Sequence, residues 1–276
     1  MRLIFILVGS VFFLASISKA QIYYGSASRA VGETGRGAIR PGDQVFLNAA
    51  GLVHIGGRYL TASTSASETA IGLSDNTPDS SLPAAVGYWK TSQIIDGSEI
   101  RKEDFRVGLA EFVVPNLAFG VVAHQFSVLQ QDRADRAVNG EAGVVWTPRD
   151  NLGVGLVAYD FLSSAKRYDD NSLFFQPRTG IGFNYLFRKQ TMFRVDLLSG
   201  AFNNFGKSKI SIGYEGYWNR WTAFRLGYSD DQAIKSRNAS IGLGLDLPRF
   251  QIQYAYQGDV DISGNYRHSV DLGIPF

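Results

Sequence analysis

Cysteine is absent from the 276 residues, which excludes disulfides and thiolate-held zinc. Histidine occurs only three times, as His54, His124 and His268, so a general base has few candidates. Neither sign of charge dominates, with 27 Lys+Arg against 25 Asp+Glu. A basic nucleic-acid-binding surface is therefore not expected. Beyond the first twenty residues no apolar run reaches the ~18 needed for a membrane-spanning helix. Phosphate-cradling glycine loops and zinc-binding helix motifs are also missing, so no cofactor and no metal are assigned.

The exception to the short apolar runs is the start of the chain. Arg2 precedes an apolar stretch from Leu3 to Ile17, and Ser18-Lys19-Ala20 places small residues three and one before a cut. That is the pattern of an export leader cleaved before Gln21. Its removal takes away Arg2 and Lys19, leaving 25 charges of each sign.

What the chain has in quantity is glycine (30), phenylalanine (19) and tyrosine (13), set in short alternating segments. In 238–247 one face is Ala239, Ile241, Leu243, Leu245 and Leu247, and the other is Ser240, Gly242, Gly244 and Asp246. Phe250, Ile252, Tyr254 and Tyr256 alternate with Gln251, Gln253, Ala255 and Gln257. Tyr266, His268, Val270, Leu272, Ile274 and Phe276 form the last such face. Segment 209–218 repeats the pattern, with Ile210, Ile212, Tyr214 and Trp218 opposing Lys209, Ser211, Gly213 and Glu215. A period of two sustained over ~10 residues is the signature of a membrane barrel strand. Soluble sandwich strands are usually only ~5–6 residues and carry charged outer faces. The expected fold class is all-β, an antiparallel transmembrane β-barrel.

Five short turns stand out: Pro115-Asn116, Pro148 to Asn151, Arg188 to Gln190, Asn219-Arg220 and Pro248-Arg249. Longer polar loops are expected near 128–137, 163–175, 202–207, 230–237 and 258–265. Phe112, Trp146, Phe187, Trp218, Trp221, Phe250 and Phe276 crowd the short-turn side as an interfacial girdle. Five hairpins and a final strand give eleven strands from Phe105 onward, and an even total requires one or three more from 54–102. Two candidates are visible there, 54–65 and 83–92, and the short chain favours about 12 strands, with 14 the other solution.

Residues 21–53 lack sustained alternation and hold Gly32, Gly35, Gly37, Pro41 and Gly42 between two helical candidates, 27–31 and 43–50. The expected organisation is a leader (1–20), a glycine-rich N-terminal segment that plugs the lumen or lies under its rim (21–53), and a barrel (54–276). The run from Ala27 to Ala38, followed by Phe46-Leu47-Asn48-Ala49-Ala50-Gly51-Leu52, resembles the opening of long-chain fatty-acid transporters and their PorV-like relatives. Ala49 stands where that family has proline. The chain is also similar, in size and glycine-rich strands, to the porin-like oligomeric lipid-trapping barrels of predatory bacteria. The resemblance implies an outer-membrane barrel that handles amphipathic molecules.

The inward phase carries Arg194, Asp196, Lys209, Glu215, Arg225, Asp246, Arg267 and Asp271. These eight line an open channel, or pair with one another across a narrow lumen. His124 shares the inward phase with no serine patterned beside it, and acids are expected near it only in loops; His268 shares the lipid phase. No base, nucleophile and orienting acid converge, so an enzyme is not expected. Loop acids Asp169-Asp170, Asp230-Asp231, Asp259 and Asp261 are solvated tips or share divalent cations with lipopolysaccharide. Expected partners are outer-membrane lipids, lipopolysaccharide, the barrel-assembly machinery and, in a homo-oligomer, a second copy of the chain. Two functions follow: porin-like passage of small polar or amphipathic solutes, or a non-conducting oligomeric barrel that holds lipid.

Phe276 ends the last apolar face and resembles the terminal signal read during outer-membrane insertion. A final strand has to close the barrel, because each unpaired backbone group in hydrocarbon costs several kcal/mol. Deletion of Phe276, or Phe276→Asp, is expected to lower the amount of inserted barrel while export continues. Normal amounts of heat-modifiable outer-membrane protein from the truncated chain would show that closure does not depend on this residue.

Overall fold

A computed structural model describes residues 22–37, 43–95, 98–130, 133–162 and 176–276. The expected leader, the cleavage point at Gln21, Pro41 and Gly42, and the 163–175 loop with Asp169-Asp170 lie outside the described residues.

The strands are β1 (Gly57–Ser65), β2 (Glu68–Asn76), β3 (Ala84–Ile95), β4 (Ser98–Val114), β5 (Leu117–Gln130), β6 (Arg133–Arg149) and β7 (Leu152–Tyr159). They continue with β8 (Arg178–Phe187), β9 (Thr191–Gly200), β10 (Asn204–Tyr217), β11 (Thr222–Asp231), β12 (Ser236–Asp246), β13 (Gln251–Asp259) and β14 (Tyr266–Pro275). Each pairs antiparallel with its neighbour in sequence, and β1 pairs with β14, so the described residues form one closed barrel of fourteen strands. At the seam the register runs from Tyr59↔Pro275 to Ser65↔Ser269, and Phe276 N–H donates to the Arg58 carbonyl at 3.1 Å. No helix among the described residues is long and apolar enough to cross a membrane; the crossing is made by strands.

Of the two expected solutions, twelve and fourteen, the described residues form the barrel of fourteen. The strand that the pattern did not show is β2, whose sequence ETAIGLSDN puts only Ile71 and Leu73 among the large apolar residues on its outer face. Three of the expected long loops, 128–137, 202–207 and 230–237, are corrected, whereas the loop near 258–265 is present between β13 and β14. Strands β5 and β6 run on to Gln130 and from Arg133, β10 starts at Asn204, and β11 and β12 reach Asp231 and Ser236. Polar sequence there is strand that continues past the apolar belt, which hydrophobic periodicity reads as loop.

Burial alternates as an inside-out core. Phe105, Val107 and Leu109 on β4, and Ile241, Leu243 and Leu245 on β12, are exposed on the outer wall, while their neighbours face in. Of the girdle residues, Phe112, Trp146, Phe187, Trp218, Phe250 and Phe276 are exposed. Hereafter the turn end is the one holding these rings and both Gly57 and Phe276; the opposite end is the loop end.

The N-terminal segment lies inside the barrel. It contains α1 (Ser26–Ala30), α2 (Gln44–Leu47) and a 3₁₀ turn, Ala49–His54. Val45, Phe46, Leu52 and Tyr23 are buried against Trp89 and Phe126 of the wall, with Tyr23 and Phe46 rings 4.6 Å apart. Elsewhere the plug sits backbone against wall. A Cβ added at Gly155 would fall on the Arg36 carbonyl, at Gly227 on the Gly32 amide, and at Gly120 on the Ala50 amide. Gly153, Gly180, Gly182, Gly213 and Gly242 likewise face Ala30, Val31, Arg36 or Gly37. Inward glycines therefore form the seat for this segment, because a strand without side chains lets another backbone approach closely.

Gly155→Leu is expected to unseat the plug while the barrel still closes. Hydrogen exchange of residues 22–37 should speed up with unchanged heat-modifiable mobility, whereas Gly56→Ala, with nothing within 4 Å of the new carbon, should leave exchange as it is. Equal protection in both variants would sink the glycine-seat account.

Candidate functional site

The plug's shape begins with local chemistry. Gly32 and Gly35 adopt φ of 74° and 152°, which turn the chain after α1 without the steric cost another residue would meet. Asn48 is the link between halves of the plug. Its Oδ1 accepts from Ala50 N–H at 3.2 Å, capping the 3₁₀ turn, while Nδ2 donates to the Arg36 carbonyl at 3.0 Å and the Val144 carbonyl at 3.1 Å. The asparagine of the quoted motif thus ties plug to plug and plug to β6. Tyr159 Oη donates to the Leu47 carbonyl at 2.5 Å from the other side.

All eight residues singled out as inward charges face the interior, and the structure divides them into two sets. One is internal to the wall. Glu215 Oε2 accepts from Arg225 Nε at 2.9 Å and Arg194 Nη2 at 3.1 Å; Arg225 Nη1 donates to Gln253, which donates to Asp246 at 2.6 Å. The other set holds the plug. Asp196 accepts from Arg36 Nη1 at 3.0 Å and from the Gly35 and Arg36 amides at 2.9 and 3.0 Å. Asp271 accepts from Ser26 N–H and, at 2.6 Å, from Ser26 Oγ. Lys209 pairs with Glu33, and Arg267 reaches Glu68 at 3.0 Å, which also binds Arg29 at 2.7 Å. The sequence reading missed these plug partners, Arg29, Glu33 and Arg36, and Glu68 of β2.

Asp43, in the plug, has its pKa raised above the ordinary carboxylate value by burial and then by the nearby Asp271 carboxylate. Its Oδ2 nevertheless accepts from Gly25 N–H at 2.7 Å. Burial also lowers the pKa of His54, whose ring meets Phe112 edge-on at 5.4 Å.

Nearer the loop end of β4–β7 is a second network that corrects the expectation for His124. Acids beside it come from strands as well as from a loop. His124 Nδ1 lies 3.0 Å from Asp104 Oδ1, and Arg106 donates to Asp104 at 2.6 Å and to both oxygens of Glu141 at 3.0 Å. Asp160, just after β7, is 3.2 Å from His124 Nε2. His268 sits on the exposed face with Tyr254 Oη 2.7 Å from its Nδ1.

Between the plug and the loop end of β8–β14 lies a cavity of about 630 Å³. Its lining joins Ile22, Tyr24, Leu198 and Phe202 to the basic groups Arg29, Arg178, Lys207, Lys209, Lys235 and Arg267, against the acids Glu33, Asp231 and Asp259. This is an amphipathic mouth with more cations than anions, closed below by the plug.

A closed antiparallel barrel with an apolar outer wall and a segment folded through its lumen has the architecture of a plugged outer-membrane β-barrel. No family model matches the chain, and no curated protein does. Among solved structures it is similar to the Pseudomonas putida toluene transporter TodX, with TM-score 0.73 at 12% identity over 92% of this chain and 99% of that one. It is similar as well to a Pseudomonas aeruginosa FadL homologue, TM-score 0.68 at 11% identity, covering 94% and 99%. The likeness to the Acinetobacter baumannii outer membrane protein Omp33 is looser, TM-score 0.51 at 6% identity, covering 80% and 98%. The fold is that of the fatty-acid-transporter-like barrels.

Arg36→Met leaves Asp196 buried with two backbone donors and no counter-ion, and breaking such a pair costs about 3–5 kcal/mol. Plug seating should weaken by that order, read as faster exchange at residues 22–37. Adding Asp196→Asn should recover part of the loss; no recovery would mean the pair does not act through charge.

Proposed function

We propose that this protein is an outer-membrane channel for small amphipathic molecules with an apolar body and an anionic head, admitted at the loop-end cavity and passed as the plug rearranges. The observation that carries this reading is the cavity itself: aromatic and aliphatic side chains beside an excess of Arg and Lys, above a lumen filled by its own N-terminal segment. An apolar pocket with a few placed polar groups fits a discrete ligand, whereas a general pore needs an open, water-filled path. Structural neighbours described as a toluene transporter and a monoaromatic hydrocarbon channel support the apolar part of the ligand. Export through a cleaved leader, assembly guided by the C-terminal strand, and contact with lipopolysaccharide at the loop end belong to the same proposal.

The second reading, a non-conducting barrel that assembles as an oligomer and holds lipid, draws on the same plugged lumen. Titration of purified protein with a medium-chain carboxylate and with its amide separates the readings. The carboxylate is expected to bind at least tenfold more tightly, and Arg178→Gln with Lys207→Gln should reduce that preference. Ohmic conductance steps without solute binding would favour a general porin. Oligomers that neither bind nor pass either solute, and carry tightly held lipid, would favour the structural reading.

A further inference from the structure

The network around His124 has a feature that plug and mouth do not explain. Three carboxylates, Asp104, Glu141 and Asp160, gather about one guanidinium, Arg106, and one imidazole. Arg106 is committed to two of them, Asp104 and Glu141. Asp104 holds His124 Nδ1 at 3.0 Å, which fixes the ring and turns Nε2 the other way. There Nε2 lies 3.2 Å from Asp160 Oδ1 and 3.8 Å from Glu141 Oε1, yet it makes no hydrogen bond, although His124 is only 4% exposed. Across the β5–β6 ladder Asn139 stands opposite His124, and its buried Nδ2 is likewise without a partner.

A carboxylate that orients one imidazole nitrogen while the other points at oxygen ligands is the arrangement that surrounds metal-binding histidines. Candidate ligand atoms of His124, Glu141 and Asp160 all lie within 4.8 Å of one another. A tetrahedral cation with ligands at ~2.0–2.2 Å needs them roughly 3.3–3.5 Å apart, so small side-chain shifts suffice. One nitrogen and two carboxylate oxygens suit zinc or a similar borderline divalent ion, with water in the remaining position. Glu141 keeps a free lone pair on Oε1 while accepting from Arg106, so both contacts can coexist.

We propose that His124 Nε2, Glu141 and Asp160 form a binding site for a zinc-like divalent cation, with Asp104 as the positioning residue for the imidazole. Its place in the wall gives it a structural consequence. The β6–β7 register begins at Ala142↔Ala158, beyond which Phe161 N–H still donates to the Gly140 carbonyl at 3.1 Å while β6 continues toward Arg133. A cation shared by Glu141 on β6 and Asp160 after β7 adds a second tie between the two strands at this end of the ladder.

The test uses untagged full-length protein in detergent, titrated with Zn²⁺ alone, and with Co²⁺ for its visible spectrum. One equivalent should bind, with an intense d–d band typical of tetrahedral N/O coordination. His124→Gln and Asp160→Asn should each weaken binding at least tenfold and abolish the band. Asp104→Asn should weaken binding about 10–100-fold while retaining a band, the mark of an orienting group. Heat-modifiable mobility confirms that each variant folds, and Asp160→Asn at the loop rim serves if His124→Gln does not. The proposal is overturned if folded wild-type protein takes up no Zn²⁺, or if uptake is unchanged in Asp160→Asn. Loss on His54→Gln or His268→Gln instead would also overturn it.

Discussion

Backbone meeting backbone is the contact on which the interior depends. For residues 22–37 and 43–56 to lie in the lumen, their amides and carbonyls have to come within van der Waals reach of strands whose side chains would otherwise fill that space. The wall grants this at Gly120, Gly155, Gly182, Gly213 and Gly227, where an added Cβ would fall on plug backbone. Once the plug is that close, water is displaced, and every charge in the interior is forced to find a protein partner. The pairing of Asp196 with Arg36 and of Glu68 with Arg29 and Arg267 follows from that dehydration, as does the capping of Asp271 by Ser26.

Such pairs give the plug a unique seat more than they give it stability. Burying two charges costs several kcal/mol per ion, and their attraction roughly offsets it when geometry and hydrogen bonds are good. What the network does supply is intolerance of misplacement, since a shifted plug parts Asp196 from Arg36 and Glu33 from Lys209. An apolar seat would slide; a charged one holds a single register.

The legible part of the molecule was the part written in periodic patterns. Alternation at 238–247, 250–257 and 266–276 declared strands, their inward phase and chain closure. Strand β2 escaped because its outer face offers only Ile71 and Leu73 between the polar Thr69 and Asp75. Loop lengths were overestimated because strands that rise past the membrane need no apolar side. Partners of the charges were out of reach for a different reason. Arg36 and Asp196 are 160 residues apart, and Arg106 and Glu141 lie 35 apart on strands two places away, so no local spacing links them. The glycine pattern hinted that something occupies the lumen, yet only the fold shows that it is the chain's own N-terminal segment.

The mouth cavity and the plug share residues, which under the proposed function would join recognition to passage. Ile22, Tyr24, Arg29 and Glu33 line the cavity and belong to the plug, while Lys209 pairs with Glu33. Under the proposed function an anionic head group entering the cavity would compete with Glu33 for Lys209 and with Glu68 for Arg29. Either replacement would remove a tie that seats the plug, so the ligand would bind the loosened state better than the seated one. A ligand shifts such an equilibrium only by its difference in affinity for the two states. A neutral apolar molecule of the same size has no claim on these cations, and fills the cavity without untying the plug.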